Sequence, residues 1–201
     1  KEVQEYSVEA AAEHGTANPE SADVIPGGSL TFTASPDQNC YLDHVSTTLV
    51  TMIEGAGVGS SQGNFDISDY EGGAYQFELR NVTSSQALTF AFAEAGAPVI
   101  DAQPQDTFVR EGESATLSIA ADAAQSVCDH EAISSGAAAS HELTYQWYRV
   151  GENGQNTPVE GAHLATLEVQ ASGAGEYYCR VTQSYLGTET TTDSNHATFS
   201  R

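Results

Sequence analysis

Leu143-Thr-Tyr-Gln-Trp147-Tyr-Arg149 and, after a turn-rich interval, Gly173-Ala-Gly175-Glu-Tyr177-Tyr-Cys179-Arg-Val181 are the stretches whose reading decides the fold. Each reads as an alternating strand, the first around the only tryptophan of the chain. Successive side chains on a strand point to opposite faces, so Trp147 and Cys179 face one way while Tyr148 and Tyr178 face the other. The same grammar holds across the rest of the chain. Thr31, Thr33, Val45, Thr47, Phe77, Leu79, Thr89 and Val109 sit in short β-branched or aromatic runs separated by clusters of Gly, Pro, Asn and Asp. That punctuation belongs to an all-β protein. No window sustains a helical apolar stripe over three turns, and the Ala-rich pieces at Ala10–Ala12 and Ala137–Ala139 support at most a short helix each. At 201 residues the chain suits two domains, each long enough to bury a core, with a boundary near Glu94-Ala-Gly-Ala-Pro98 that gives residues 1–96 and 97–201.

Residues 98–199 resemble an immunoglobulin-like sandwich. Leu143–Arg149 matches strand C and Gly173–Val181 matches strand F. Pro98–Ile100 with Thr107–Arg110 suits a split first strand, Gly112–Ile119 strand B, Thr166–Val169 strand E and Ala197–Phe199 the end of strand G. The resemblance implies a structural core of Ile119, Trp147, Tyr177 and Cys179, joined by Leu117 and Leu167. It implies that Trp147 fills the space between two sheets and that the Tyr177 hydroxyl ties the E to F corner. Two residues depart from the antibody-type pattern. Ile119 stands where the first cysteine of the inter-sheet disulfide would be, and Gly173 replaces the usual Asp before strand F. These departures resemble the divergent immunoglobulin-like modules of bacterial surface proteins.

Residues 5–95 carry a second signature. Gly15-Thr-Ala-Asn-Pro19, Gly28-Ser-Leu-Thr-Phe-Thr33 with its Pro36-Asp turn, Tyr41-Leu42-Asp-His-Val45, and Tyr75–Leu79 followed by Asn81-Val-Thr83 and Leu88–Phe92 occur in that order. The set is similar to the divergent InlB B-type repeat, a small β-rich module of bacterial surface proteins. Thr47–Asp69 departs from that pattern in being long and glycine-rich. The expected fold is therefore all-β, a small β-rich repeat module followed by an immunoglobulin-like β-sandwich.

The formal net charge is −22, with fourteen acids against Lys1 and Arg80 in residues 1–96 and fourteen against four arginines in residues 97–201. Such a field repels phosphate backbones and anionic membranes, so nucleic acid and lipid surfaces are poor partners. No apolar run of twenty residues exists for membrane insertion. The only lysine is Lys1, which rules out a Lys to Asn isopeptide crosslink inside the second domain.

Cys40 reads as a small buried hydrophobe and Cys179 as a core residue. Cys128 sits in a long connection between strands B and C, Asp122–Glu142. Two states stay open there: free thiols, or a Cys128 to Cys179 bridge that needs the loop to bring the Cα atoms within about 7 Å. Cys128-Asp-His130-Glu131 with His141 collects zinc-capable side chains without paired ligand spacing. Asp66, Asp69 and Glu71 crowd a glycine-rich turn without a known calcium-loop pattern. No metal, cofactor or catalytic residue is expected, because no nucleophile elbow, P-loop or Cys/His signature is present.

The leading function is a non-catalytic stalk or adhesion segment of an extracellular, cell-surface or cell-wall protein of a bacterium, contacting a protein or glycan alongside neighbouring modules of its own chain. Its contact sites would be Asp122–Glu142 and Gln183–Gly187. The alternative is an accessory carbohydrate-binding module of a secreted enzyme, whose aromatic platform would use Tyr145, Tyr148, Tyr178 and Tyr185. A catalytic role is the third class.

Overall fold

The computed structural model of the 201-residue chain describes residues 3–48, 53, 54, 61, 62, 65–69, 73–133 and 141–201. Much of the Thr47–Asp69 insertion, together with Glu71 and Ala137–Ala139, lies outside the described residues. The fold is all-β, in two compact units. The first comprises Lys1–Ala95 with Ser126–Ser140 and Tyr185–Thr188, the second Gly96–Gln125, His141–Ser184 and Glu189–Arg201.

The strands of the first unit are β1 (Tyr6–Glu13), β2 (Gly15–Asn18), β3 (Ser21–Val24), β4 (Leu30–Pro36), β5 (Cys40–Thr47), β6 (Ile53–Glu54), β7 (Ser61–Gln62), β8 (Phe65–Asp69), β9 (Tyr75–Leu79) and β10 (Gln86–Glu94). They form two five-stranded sheets, β3-β1-β10-β5-β6 and β2-β4-β9-β8-β7. In β9 the residues Tyr75, Phe77 and Leu79 are buried while Gln76 and Glu78 are less so, the period of two expected of a strand with one face on a core. Phe77 stacks on Phe65 at 5.1 Å and meets Phe90 edge-on at 5.4 Å, so the core is an aromatic layer shared by both sheets. Each such ring contributes about 1.5–3 kcal/mol on burial. Gly15 shows why the Gly-x-x-x-Pro stretch begins with glycine. A Cβ there would run into the Ser35 carbonyl and the Phe92 ring.

Ala10–Ala12 is strand, not helix, which corrects the sequence expectation. The segment pairs in parallel with Leu88, Thr89 and Phe90, and that ladder outweighs the high intrinsic helix propensity of alanine. The described helix, α1 (Gln125–Ile133), instead falls between strands B and C.

The second unit contains β11 (Val99–Ala102), β12 (Thr107–Phe108), β13 (Ser114–Ser118), β14 (Ala120–Asp122), β15 (Glu142–Arg149), β16 (Thr157–Pro158), β17 (Thr166–Gln170), β18 (Gly175–Tyr185), β19 (Thr188–Asp193) and β20 (Ala197–Ser200), with Tyr185 and Thr188 themselves counted in the first unit. The split first strand is present: β11 pairs antiparallel with β14, and β12 runs parallel to β20. One layer is thus β12-β20-β18-β15-β16 with β19 also paired to β18, and β13 with β17 and β11 with β14 supply the other. This is an immunoglobulin-like sandwich, with β13 and β14 as strand B, β15 as C, β17 as E, β18 as F and β20 as G.

Candidate functional site

Four residues anchor the inside of the second unit. Trp147 on β15 is fully buried, and its indole N–H donates to the Leu164 carbonyl at 2.9 Å. Its register partner across the sheet is Cys179, also fully buried. Ile119, at the break between β13 and β14, is buried in the same cluster, and its backbone N–H donates to the Ala165 carbonyl at 2.9 Å. Tyr177 donates its hydroxyl to the Gly173 carbonyl at 2.6 Å, closing the corner that leads from β17 into β18. Gly173 therefore serves the corner through its backbone, with no carboxylate needed. All three cysteines are free thiols, and Cys128 lies on α1. The open question of a Cys128 to Cys179 bridge is answered by two unpaired thiols. Burial pushes the Cys179 thiol up to about 12, with Asp193 adding to the effect and a hydrogen bond from the Gln146 backbone opposing it.

The opposite face of the same strands carries the polar chemistry. Tyr148 and Tyr178 are register partners whose rings stack at 5.1 Å with 10° between planes. Tyr178 also stacks on His196 at 5.3 Å, and the Arg180 guanidinium lies 5.5 Å from the centre of the Tyr148 ring. Arg180 is held there by a two-pronged bond to Asp193, at 2.7 and 2.8 Å. That carboxylate keeps the guanidinium above even its ordinary high range. His196 in turn faces Glu176 at 3.1 Å. Exposed ion pairs of this kind add little stability. Their effect is positional, fixing a ladder of His196, Tyr178, Tyr148 and Arg180 across strands G, F and C. Beside it opens a groove of about 480 Å³ lined by Glu142, Thr144, Tyr145, Gln146, Tyr148, His163 and Arg180.

The expected contact residues need correction. Tyr178 and Tyr185 are buried, at 5% and 2% exposure, so neither offers an open ring to a ligand. Tyr178 is enclosed because cross-strand stacking occupies it, and Tyr185 because it packs on Tyr41 and His130 within the first unit. Tyr148 remains half-buried at the edge of the groove, with Arg180 over its ring. Gln183, at the start of the second expected contact loop, is also interior. Its side chain accepts from the Ala124 N–H at 2.7 Å and donates to the Thr190 hydroxyl at 3.3 Å. Sequence reasoning missed Arg180, Asp193 and His196. Alternation from Tyr178 to Arg180 along β18 was the signal that could have found the arginine.

Among the described residues, no group of three or more His, Cys, Asp or Glu side chains is placed to hold a metal ion. Asp66 pairs with Arg80 at 2.6 Å, while Glu71 and the Asp69 side chain lie outside the described residues. His130 points to Tyr185 and Asp43, and His141 stands at the start of β15. No helix of the described residues is long and apolar enough to cross a membrane.

No family model matches the sequence, and no curated protein matches it. Solved structures similar to the chain are tandems of immunoglobulin domains. The first two domains of DIP-gamma align over 97% of this chain and 94% of their own, at 11% identity and a TM-score of 0.33. The N-terminal Ig1-2 module of the Drosophila receptor protein tyrosine phosphatase DLAR aligns over 98% and 96%, at 12% identity and 0.34. Titin domains I67–I69 align over 97% of this chain and 63% of theirs, at 12% identity and 0.34. The immunoglobulin-like assignment of the second unit stands on its own strand order, on Trp147 and on the Tyr177 corner.

Proposed function

We propose that this chain is a non-catalytic binding segment of an extracellular protein and that its second unit contacts a protein partner through the outer face of the β12-β20-β18-β15-β16 sheet. The half-buried Tyr148 and Arg180, the latter locked by Asp193 and both backed by the buried Tyr178, carry this reading. Rigid aromatic and arginine side chains beside a groove are the residue types that dominate protein recognition energetics. A sugar platform would need open ring faces. Here Tyr178 is buried between its neighbours and Tyr148 has Arg180 over it, so the carbohydrate-binding alternative loses its platform.

The setting we propose is the surface or wall of a bacterium. The likeness of residues 5–95 to the InlB B-type repeat and the replacement of the strand B cysteine by Ile119 support it. We also propose that the modules meet in sequence near residue 96. The experiment is a capture screen of the purified chain against arrays of extracellular proteins and of glycans. A protein hit weakened at least tenfold by Arg180→Ala and Tyr148→Ala would support the reading. A glycan hit indifferent to both substitutions, or hydrolysis of any array member, would overturn it.

A further inference from the structure

Among the described residues of the first unit, the sandwich reading leaves the buried His130 side chain without a role. Val127 and His130 are one turn apart on α1, hence on one face of the helix, and both are buried. The His130 ring packs against Tyr41 at 4.8 Å, and Tyr41 meets Tyr185 edge-on at 5.0 Å. Nδ1 of His130 lies 2.6 Å from the Tyr185 hydroxyl, and Nε2 lies 3.3 Å from Oδ1 of Asp43. An ionised carboxylate only accepts hydrogen bonds. In the neutral ring Nε2 therefore carries the hydrogen and donates to Asp43, and Nδ1 accepts from the hydroxyl of Tyr185. Burial pushes Tyr185 up to about 12, with Tyr41, Glu131 and Asp43 adding, so that hydroxyl keeps its proton through the neutral range. The second oxygen of Asp43 is taken by Nδ1 of His44 at 2.7 Å.

We propose that Tyr185, His130 and Asp43 form a donor-acceptor relay that seats α1 and the Tyr185–Thr188 turn on β5, making both segments structural parts of the first unit instead of open contact loops. Two further bonds flank the relay. The Ser126 hydroxyl donates to the Ala95 carbonyl at 2.9 Å, and the Tyr75 hydroxyl donates to the Leu186 carbonyl at 3.1 Å. Leu186 and Gly187 both have positive φ, at 45° and 83°, so a tight turn presents that carbonyl.

The test uses the full chain with Tyr185→Phe, Asp43→Asn and the double variant, followed by amide hydrogen exchange and by nitrogen NMR of the His130 ring. Each single variant should raise exchange in β5 and α1 by roughly three- to tenfold, the effect of one hydrogen bond. The double variant should exceed either single by less than the product of the two, as coupled neighbours do. Strands β13 and β17 should be unaffected, and the ring should be the Nε2–H tautomer. Unchanged exchange in β5, an equal rise in every strand, or an Nδ1–H tautomer would overturn the relay.

Discussion

Trp147 and Tyr177 show how differently two buried aromatics contribute. Trp147 has no exposed surface, and removing it leaves a void the rigid sheets cannot close, so Trp147→Ala should cost about 3–5 kcal/mol in urea unfolding. Tyr177→Phe keeps the ring and removes only the bond to Gly173, for an expected cost of about 0.5–1.5 kcal/mol. The thiols separate by the same physics. Cys179 is buried with its thiol pushed up to about 12, and burial raises the Cys40 thiol too, with Glu94 and Asp37 adding. Cys128 is only half-buried. A thiol reagent near neutral pH should modify Cys128 in the native chain and reach all three only after denaturation. Strand alternation, which is local, put Trp147 and Cys179 on one face in the sequence, while the role of Tyr177 came only from the immunoglobulin-like resemblance. Asp193 and its hold on Arg180 were not legible, because the pairing of β18 with β19 that joins them is a tertiary fact.

At the scale of elements, β4, β5, β9 and β15 could be read from turn residues and alternation, the split of the first immunoglobulin strand was implied by the resemblance, and β1 was not read as a strand. Helix α1 could not be read either. Its buried face is Val127 and His130, too sparse for a periodic signal, and its partner Tyr41 lies far away in sequence. The tyrosines Tyr41 on β5 and Tyr185 on β18 set a pH response. Burial pushes Tyr41 up to about 12 as well, with Asp43 adding, against an ordinary value of 10.0 for both tyrosines. Between those values the folded chain holds protons that the unfolded chain has released, so stability falls as pH rises. The contribution should be complete below about pH 10 and lost by about pH 12. Thermal melts across that window should show the decline, and Tyr41→Phe should reduce its slope. A melting temperature flat to pH 12 would contradict it.

For the whole molecule, two compact all-β units carry a net charge of −22, and their stability rests on apolar burial without a disulfide. Charge of that size disfavours nucleic acid and anionic lipid wherever the chain resides. Strand order and the Tyr177 corner build the core of the second unit, and the binding role proposed for its outer sheet face rests on Tyr148 and Arg180 there. Trp147 is the only tryptophan, so its fluorescence reports that core alone. The most direct test is urea unfolding followed by Trp147 emission, with and without reductant. The account predicts a blue-shifted native emission, shielded from aqueous quenchers, and one cooperative red shift with the same midpoint in both conditions. A solvent-exposed native emission, or a midpoint that falls on reduction, would contradict a disulfide-free immunoglobulin-like core.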